Sequence, residues 1–201
     1  MGTRGCYGVR IDGQDKLTYN HFDSYPEGLG QDLVNQLVPV LATKTGLARL
    51  RKAARELELV GDNPEDRAAI KARFGDRYRD PGVDTGDSVY AYLRNLQGEL
   101  TGALFDAKVM HDDRDFVRDS LFCEYAYVVN LDDKVFEIYQ GVQDKPHTRG
   151  RYAGLASIPR PPGASTEYYP VALVKTLPLN KNLKRNYSAF LKKLEEASEQ
   201  T

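Results

Sequence analysis

The chain has 201 residues, of which 41% are hydrophobic and 28% charged, and its formal net charge is -1 at pH 7. This length and hydrophobic content suit one domain, and we predict a single domain over residues 1–201 with a helical insertion or lobe at roughly residues 32–106. The balanced charge makes nucleic acid and anionic membranes disfavoured partners, because no global field attracts them.

The cysteine count and the absence of a long apolar run predict the compartment. Cys6 and Cys123 are the only two cysteines, too few for a disulfide framework. No apolar stretch approaches the roughly 18 residues that a membrane span needs. We therefore predict a cytoplasmic protein without a membrane segment.

Residues 4–11 alternate between apolar and polar side chains, Asp12-Gly13 is a turn signal, and residues 16–23 resume an extended pattern. These features predict an N-terminal β-hairpin.

Two registers of this hairpin are open. A three-residue loop pairs Val9 with Leu17, so the apolar sides of the two strands match. Cys6 then lies opposite Asn20. A four-residue loop places Cys6 opposite His21 and creates a Cys-His pair. Register usually follows the buried face, which favours the three-residue loop.

Residues 19–30 hold the densest group of reactive side chains in the chain: Tyr-Asn-His-Phe-Asp-Ser-Tyr-Pro-Glu-Gly-Leu-Gly. His21 and Asp23 are the candidate catalytic residues, because on a strand they share a face and the carboxylate could fix the imidazole tautomer. The alternative is that both side chains satisfy backbone groups of the turn before the first helix.

The candidate binding residues are aromatic or cationic. Tyr19 and Tyr25 flank the acid-base pair, and Arg4 could grip a phosphate or carboxylate through its guanidinium group. Arg4 could equally form an ion pair with Asp23. Arg149 and Arg151 lie in a loop with Gly150 between them and could close over an anionic ligand.

Four helices are predicted for the middle of the chain. Helical spacing of apolar residues begins near Asp32 and again over residues 47–60. Asn63-Pro64 is a start signal for a third helix to about Arg79. A longer helix is predicted from Asp87 to Leu104.

The last third of the chain predicts β-structure and a final helix. Residues 122–130 and 134–140 form a hairpin pattern, residues 141–167 a loop, residues 168–177 a strand and residues 183–197 an amphipathic helix. Strands at both ends around a helical middle predict an α+β fold with a mostly antiparallel sheet, shared by the N-terminal hairpin and the C-terminal strands.

Metal and cofactor sites are not predicted. The three histidines lack the spacing of metal ligands, and no phosphate-binding glycine motif is present. His111 is expected in a solvated loop. Cys6 is expected to be an inert strand cysteine, since a catalytic role would require the register that pairs it with His21.

Two motifs carry a resemblance that spans most of the chain. The N-terminus Met-Gly-Thr-Arg and the segment Tyr-Asn-His-Phe-Asp-Ser-Tyr-Pro resemble those of a family of uncharacterised bacterial and phage proteins. The similarity extends to Leu-Phe-Cys-Glu-Tyr-Ala-Tyr-Val at residues 121–128 and to Tyr-Tyr-Pro-Val at residues 168–171. This resemblance implies a phage-related grouping and no particular activity.

The opening strand and turn, with an arginine close by, also resemble N-terminal nucleophile hydrolases. Those enzymes need Cys, Ser or Thr at the mature N-terminus. Removal of Met1 would expose Gly2, and only cleavage between Gly5 and Cys6 would expose a nucleophile.

The function predicted from the sequence is that of a cytosolic phage- or mobile-element-type protein with a site for a small anionic or nucleotide-like molecule at residues 19–30. The site is possibly enzymatic. The alternative is a non-enzymatic accessory factor that binds another protein, in which the corner is structural. Nucleic-acid binding through the basic helix at residues 47–60 ranks last.

Overall fold

The computed structural model describes residues 2–82, 86–159 and 167–199. Parts of the predicted loops at 80–86 and 141–167 lie outside these residues. The strands are β1 (Gly5–Ile11), β2 (Gln14–Asn20), β3 (Glu58–Val60), β4 (Val109–His111), β5 (Tyr125–Asn130), β6 (Val135–Gln140) and β7 (Ala172–Pro178). The helices are α1 (Gln31–Leu41), α2 (Gly46–Glu56), α3 (Pro64–Phe74), α4 (Val89–Tyr92), α5 (Leu100–Gly102) and α6 (Leu183–Ser198).

Five strands form one sheet in the order β2-β1-β5-β6-β7. Only β1 and β5 run parallel; the other neighbours are antiparallel. The predicted α+β fold is therefore confirmed, including the sheet shared by the two ends of the chain. The short strands β3 and β4, which the sequence pattern did not indicate, form a second, parallel sheet.

Both faces of the main sheet are buried. One face carries Tyr7, Val9 and Phe136 and packs in a core with α1, α2 and α6. The opposite face carries Cys6 and Leu17 and packs in a second cluster. β1 lies between β2 and β5, and buried apolar side chains cover both of its faces.

Both predicted registers of the N-terminal hairpin are wrong. Cys6 pairs with Tyr19, and the connection is a two-residue turn at Asp12 and Gly13. Both turn residues have positive φ, 51° and 78°. Such a turn matches the twist of the strands. Because β1 is buried on both faces, matching apolar sides did not identify the register.

The predicted long helix from Asp87 to Leu104 is also wrong. A single turn, α4, is capped by the Ser88 side chain, which accepts a hydrogen bond from the amide of Ala91 at 3.1 Å. After a 3₁₀ turn the chain turns at Gly98, whose φ of +81° cannot continue a helix. A π-helical turn, Ala103–Ala107, follows α5 and leads into β4.

The other helical predictions hold with shorter boundaries. α2 ends at Glu56 rather than near residue 60, and α3 ends at Phe74 rather than near Arg79. Asn63 caps α3 as expected, accepting a hydrogen bond from the amide of Asp66 at 2.8 Å. None of the helices in the described residues is long and apolar enough to cross a membrane. The division into one domain with a lobe at 32–106 stays a prediction.

Candidate functional site

The corner between β2 and α1 is held by buried polar side chains. Asn20 donates a hydrogen bond to the Ser24 hydroxyl at 2.9 Å. The Tyr127 hydroxyl donates to the backbone carbonyl of Ser24 at 2.9 Å, and the Tyr187 hydroxyl donates to that of Pro26 at 2.8 Å. These residues, and not His21 or Asp23, satisfy the turn with their side chains.

His21 is joined to Tyr19 on the edge strand. The Tyr19 hydroxyl lies 2.7 Å from Nδ1 of His21, while Nε2 has no hydrogen-bond partner among the described residues. The Tyr19 ring packs edge-on against Phe116 at 5.2 Å between centroids. Burial raises the pKa of the Tyr19 hydroxyl, which therefore stays protonated at neutral pH.

Arg94 borders the histidine from the segment after α4. Its guanidinium group lies 5.6 Å from the ring centroids of both Phe22 and Tyr90. Its terminal nitrogen donates to the Gln97 side chain, whose oxygen also accepts a bond from the amide of His21 at 3.3 Å. The buried Nε of Arg94 has no hydrogen-bond partner in the part of the chain that the structure describes.

Arg4 approaches from the residues before β1. Its guanidinium group lies 5.5 Å from the centroid of the Phe122 ring, and its backbone amide donates to the Glu124 carboxylate at 3.0 Å. The ion pair between Arg4 and Asp23 considered above does not form. Within the described ranges, neither Arg4 nor Arg94 has a carboxylate within ion-pair distance.

These arginines act electrostatically on the histidine. Burial, together with the positive charges of Arg94 and Arg4, lowers the pKa of His21. His21 is therefore a neutral imidazole at neutral pH, held at Nδ1. We call Arg4, Tyr19, His21 and Arg94 the cationic cluster.

Asp23 lies beside this cluster and faces a different space. It is exposed, has a positive φ of 52°, and makes no side-chain hydrogen bond or ion pair within the described residues. It lines a cleft of about 370 Å³ that Arg94 also borders. Other carboxylates on the cleft wall are those of Asp32, Asp80 and Glu99. The cleft is thus acidic, and Arg94 belongs both to its wall and to the cationic cluster.

The remaining predicted binding residues lie apart from His21. Tyr25 is 39% exposed and does not line the cleft. Arg149 donates to the Gln143 side chain at 2.8 Å. Arg151 is bound in an ionic network across the sheet, where it pairs with Asp15 at 3.1 Å and with the buried Glu137. Its guanidinium group is saturated by that network.

Two features of this region were not recognised from the sequence. Arg94 and Gln97 belonged to the expected helix of residues 87–104, where they looked like ordinary surface residues. His111 lies on β4, with a side chain only 21% exposed, so its expected place in a solvated loop is wrong. Its Nδ1 lies 2.9 Å from Oδ1 of Asp113, although the N–H direction is poor for a hydrogen bond.

Cys6 has none of the features of a nucleophile. It is fully buried, and its Sγ lies 3.7 Å from Sγ of Cys123. The hydrogen bond with Cys123 and burial raise the pKa of the Cys6 thiol, so it remains protonated. Among the described residues, no group of three or more His, Cys, Asp or Glu side chains could hold a metal ion.

Comparison with known proteins gives no match. No protein-family model, no curated protein and no solved structure matches the chain. The resemblances described above therefore rest on their motifs, and the function has to be argued from the site.

Proposed function

We propose that the protein binds a small anionic molecule, of the phosphate or nucleotide class, at the cationic cluster. One observation carries this proposal: Arg4 and Arg94 both lie close enough to His21 for their charges to act on it, and within the described residues neither is paired with a carboxylate. Arginine is suited to phosphate and carboxylate groups because its planar guanidinium group donates several parallel hydrogen bonds.

The charges of the cluster are mutually unfavourable without an anion. Arg4 and Arg94 disfavour the protonated form of His21, which is the effect expected of like charges in proximity. An anion between them would reverse this effect and favour protonation of His21. Perturbed titration of this kind is common at functional sites.

The acidic cleft next to Arg94 suits a different part of the ligand. Its carboxylates accept hydrogen bonds from hydroxyl or amino groups, as found on a ribose or another polyol. A ligand with its anionic group on Arg4 and Arg94 and its donor groups in the cleft would fit both regions. In that arrangement Asp23 contacts the ligand, and His21 serves as the acid or base if a reaction occurs.

We further expect the protein to work in the cytosol, as a phage- or mobile-element-type protein, without a cofactor. The alternative is a non-enzymatic accessory factor that binds another protein. The observation that favours it is a set of exposed aromatic residues near the same corner, Phe22 at 52%, Phe122 at 43% and Tyr25 at 39%. Aromatic residues are enriched at protein interfaces.

Titration of the three histidines by NMR tests anion binding. We expect inorganic phosphate to raise the pKa of His21. Arg94→Gln should raise the pKa of His21 in the absence of phosphate and weaken the response to it. Arg149→Gln is the matched control, because Arg149 is an exposed loop arginine outside the cluster.

Chloride at matched ionic strength is needed in the same titration, because screening of the two arginines alone raises the pKa of His21. A phosphate response no larger than that of chloride would contradict anion binding and leave the protein-binding alternative.

A further inference from the structure

We propose that Nε2 of His21 accepts a phosphoryl group from a small phosphorylated donor. This proposal rests on the anion site described above and adds a covalent step to it. The donor class is one with a good leaving group, such as an acyl phosphate.

The three histidines of the chain, all within the described residues, differ in which ring nitrogens are occupied. In His147 both are used: Nε2 lies 2.7 Å from the carbonyl of Pro170, and Nδ1 accepts from the amide of Arg149 at 3.2 Å. In His111, Nδ1 lies beside the carboxylate of Asp113, which raises the pKa of this histidine. A raised pKa increases the protonated fraction of the ring, and a protonated imidazole has no lone pair to donate. Only His21 combines a lowered pKa with an unoccupied Nε2 and partial exposure.

The Tyr19 hydroxyl can hydrogen-bond to Nδ1 of His21 both before and after the transfer. Nε2 is nucleophilic when Nδ1 carries the proton, and the Tyr19 oxygen can then accept the hydrogen bond from Nδ1. After phosphorylation the ring loses the Nδ1 proton, and the same hydroxyl can donate to Nδ1. A hydroxyl group serves in both states because it is a donor and an acceptor. A backbone carbonyl or a carboxylate could only accept.

Arg4 and Arg94 supply the charge that phosphoryl transfer requires. The transition state spreads negative charge over three phosphoryl oxygens, and enzymes stabilise it mainly by positioned cations. Arg94 shares the Gln97 side chain with the His21 amide, and Arg4 acts on His21 through its charge. With no carboxylate partner in the described residues, both arginines are available for those oxygens. The same charges keep the imidazole unprotonated before the donor binds.

The step balances without a further reactant. The Nε2 lone pair forms the N–P bond while the bond between phosphorus and the leaving oxygen breaks, and that oxygen departs with the electron pair. From an acyl phosphate the leaving group is a carboxylate, which needs no proton. The Nδ1 proton passes to water, and a phosphohistidine remains whose ring is uncharged and whose phosphoryl group carries the negative charge.

Phosphoramidate, whose leaving group is ammonia, is the probe for the test. The intact protein is incubated with it at pH 7.5 beside free Nα-acetylhistidine, and the phosphorylated residue is mapped by mass spectrometry under alkaline conditions. We expect one phosphoryl group on His21, formed at least about tenfold faster than on Nα-acetylhistidine. Arg4→Gln and Arg94→Gln should each slow the reaction about tenfold or more, and His147→Gln should not change it.

Labelling of His21 at or below the rate of Nα-acetylhistidine, or equal labelling of His147, would overturn the proposal. Because the labelled site is mapped on the unmodified sequence, this result does not depend on whether a His21 variant folds. If phosphate still raises the pKa of His21 while no phosphohistidine forms, anion binding stands and only the transfer step fails. If neither occurs, both proposals fail.

Discussion

At the scale of single residues, neighbouring groups shift the pKa values of two histidines in opposite directions. His21 sits near Arg94 and Arg4, and burial and these charges lower its pKa. His111 sits beside Asp113, and that contact, with further support from Asp62 and Asp112, raises its pKa. The folded state thus lowers the pKa of one imidazole and raises that of the other, and the nearby charges account for the difference.

The pH dependence of stability follows from the contact at His111. Its folded pKa is raised above the unfolded value, so the stabilisation is fully present below the unfolded pKa near 6.5 and is lost as pH rises through the folded pKa. We expect His111→Gln to lower the unfolding free energy by about 1 kcal/mol more at pH 6 than at pH 8. Urea denaturation at both pH values measures this difference.

His21 affects the unfolding free energy with the opposite pH dependence, but it is present in wild type and variant alike. Its contribution therefore cancels in the difference between the two proteins. An unfolding free energy reduced equally at both pH values would mean that His111 contributes by packing and not by its charge.

At the scale of elements, the position of each side chain on the sheet depends on one tight turn. Asp12 and Gly13 close the hairpin with two residues of positive φ, which places Cys6 opposite Tyr19. A loop one residue longer would move every side chain of β2 to the other face. The side chains of Tyr19 and His21 would then lie on the opposite face of the sheet. The candidate site therefore depends on the geometry of this turn.

Gly13→Ala tests the contribution of that turn. A Cβ at Gly13 meets no atom within 4 Å, so the cost of the substitution is conformational and comes from the φ of +78°. We expect the unfolding free energy to fall by about 1 kcal/mol. Gly154→Ala is the matched control, because that position also has open space but no positive φ. A Gly13→Ala protein as stable as the control would contradict the conformational explanation.

At the scale of the whole molecule, distant parts of the chain meet at the corner. Tyr187 lies on α6, 161 residues from Pro26, and donates its hydroxyl to the Pro26 carbonyl. Tyr127 on β5 does the same for Ser24. Both rings belong to the main core, so the site is supported by the sheet and the last helix together. The corner is a product of the complete fold.

Tyr187→Phe removes one of these bonds with little change of shape. It removes the hydroxyl donor from the buried Pro26 carbonyl, which keeps the backbone amide of Gln31 as a second donor, and we expect a loss of about 1 kcal/mol in unfolding free energy. Hydrogen exchange should become faster at the amide of Leu29, which donates to the Asp23 carbonyl at 2.8 Å. Tyr169→Phe is the control, since among the described residues that hydroxyl is hydrogen-bonded only to the exposed Glu167 carboxylate. Equal stability of the two variants would contradict a supporting role for α6.

The sequence by itself determined the fold class and the elements with strong local signals. Alternation identified β1, and aromatic and β-branched runs around a turn identified β5 and β6. The Asn63-Pro64 pair identified the start of α3, and helical spacing identified α6. These signals succeed because capping, turn chemistry and amphipathic periodicity act between residues close in the chain. The same reasoning proposed Arg4, Tyr19 and His21 as candidate site residues, and that proposal stays a prediction.

Only the tertiary structure decided how those residues are arranged. The register of the hairpin stayed open because both faces of β1 are buried, so apolar pattern alone did not distinguish them. Arg94 lies near His21 although more than seventy residues separate them in the sequence. Arg151 is neutralised by Asp15 on β2 and by Glu137 on β6. Electrostatic interactions depend on distance in space and not on separation in sequence. For that reason the charge of the site could be read only from the folded chain.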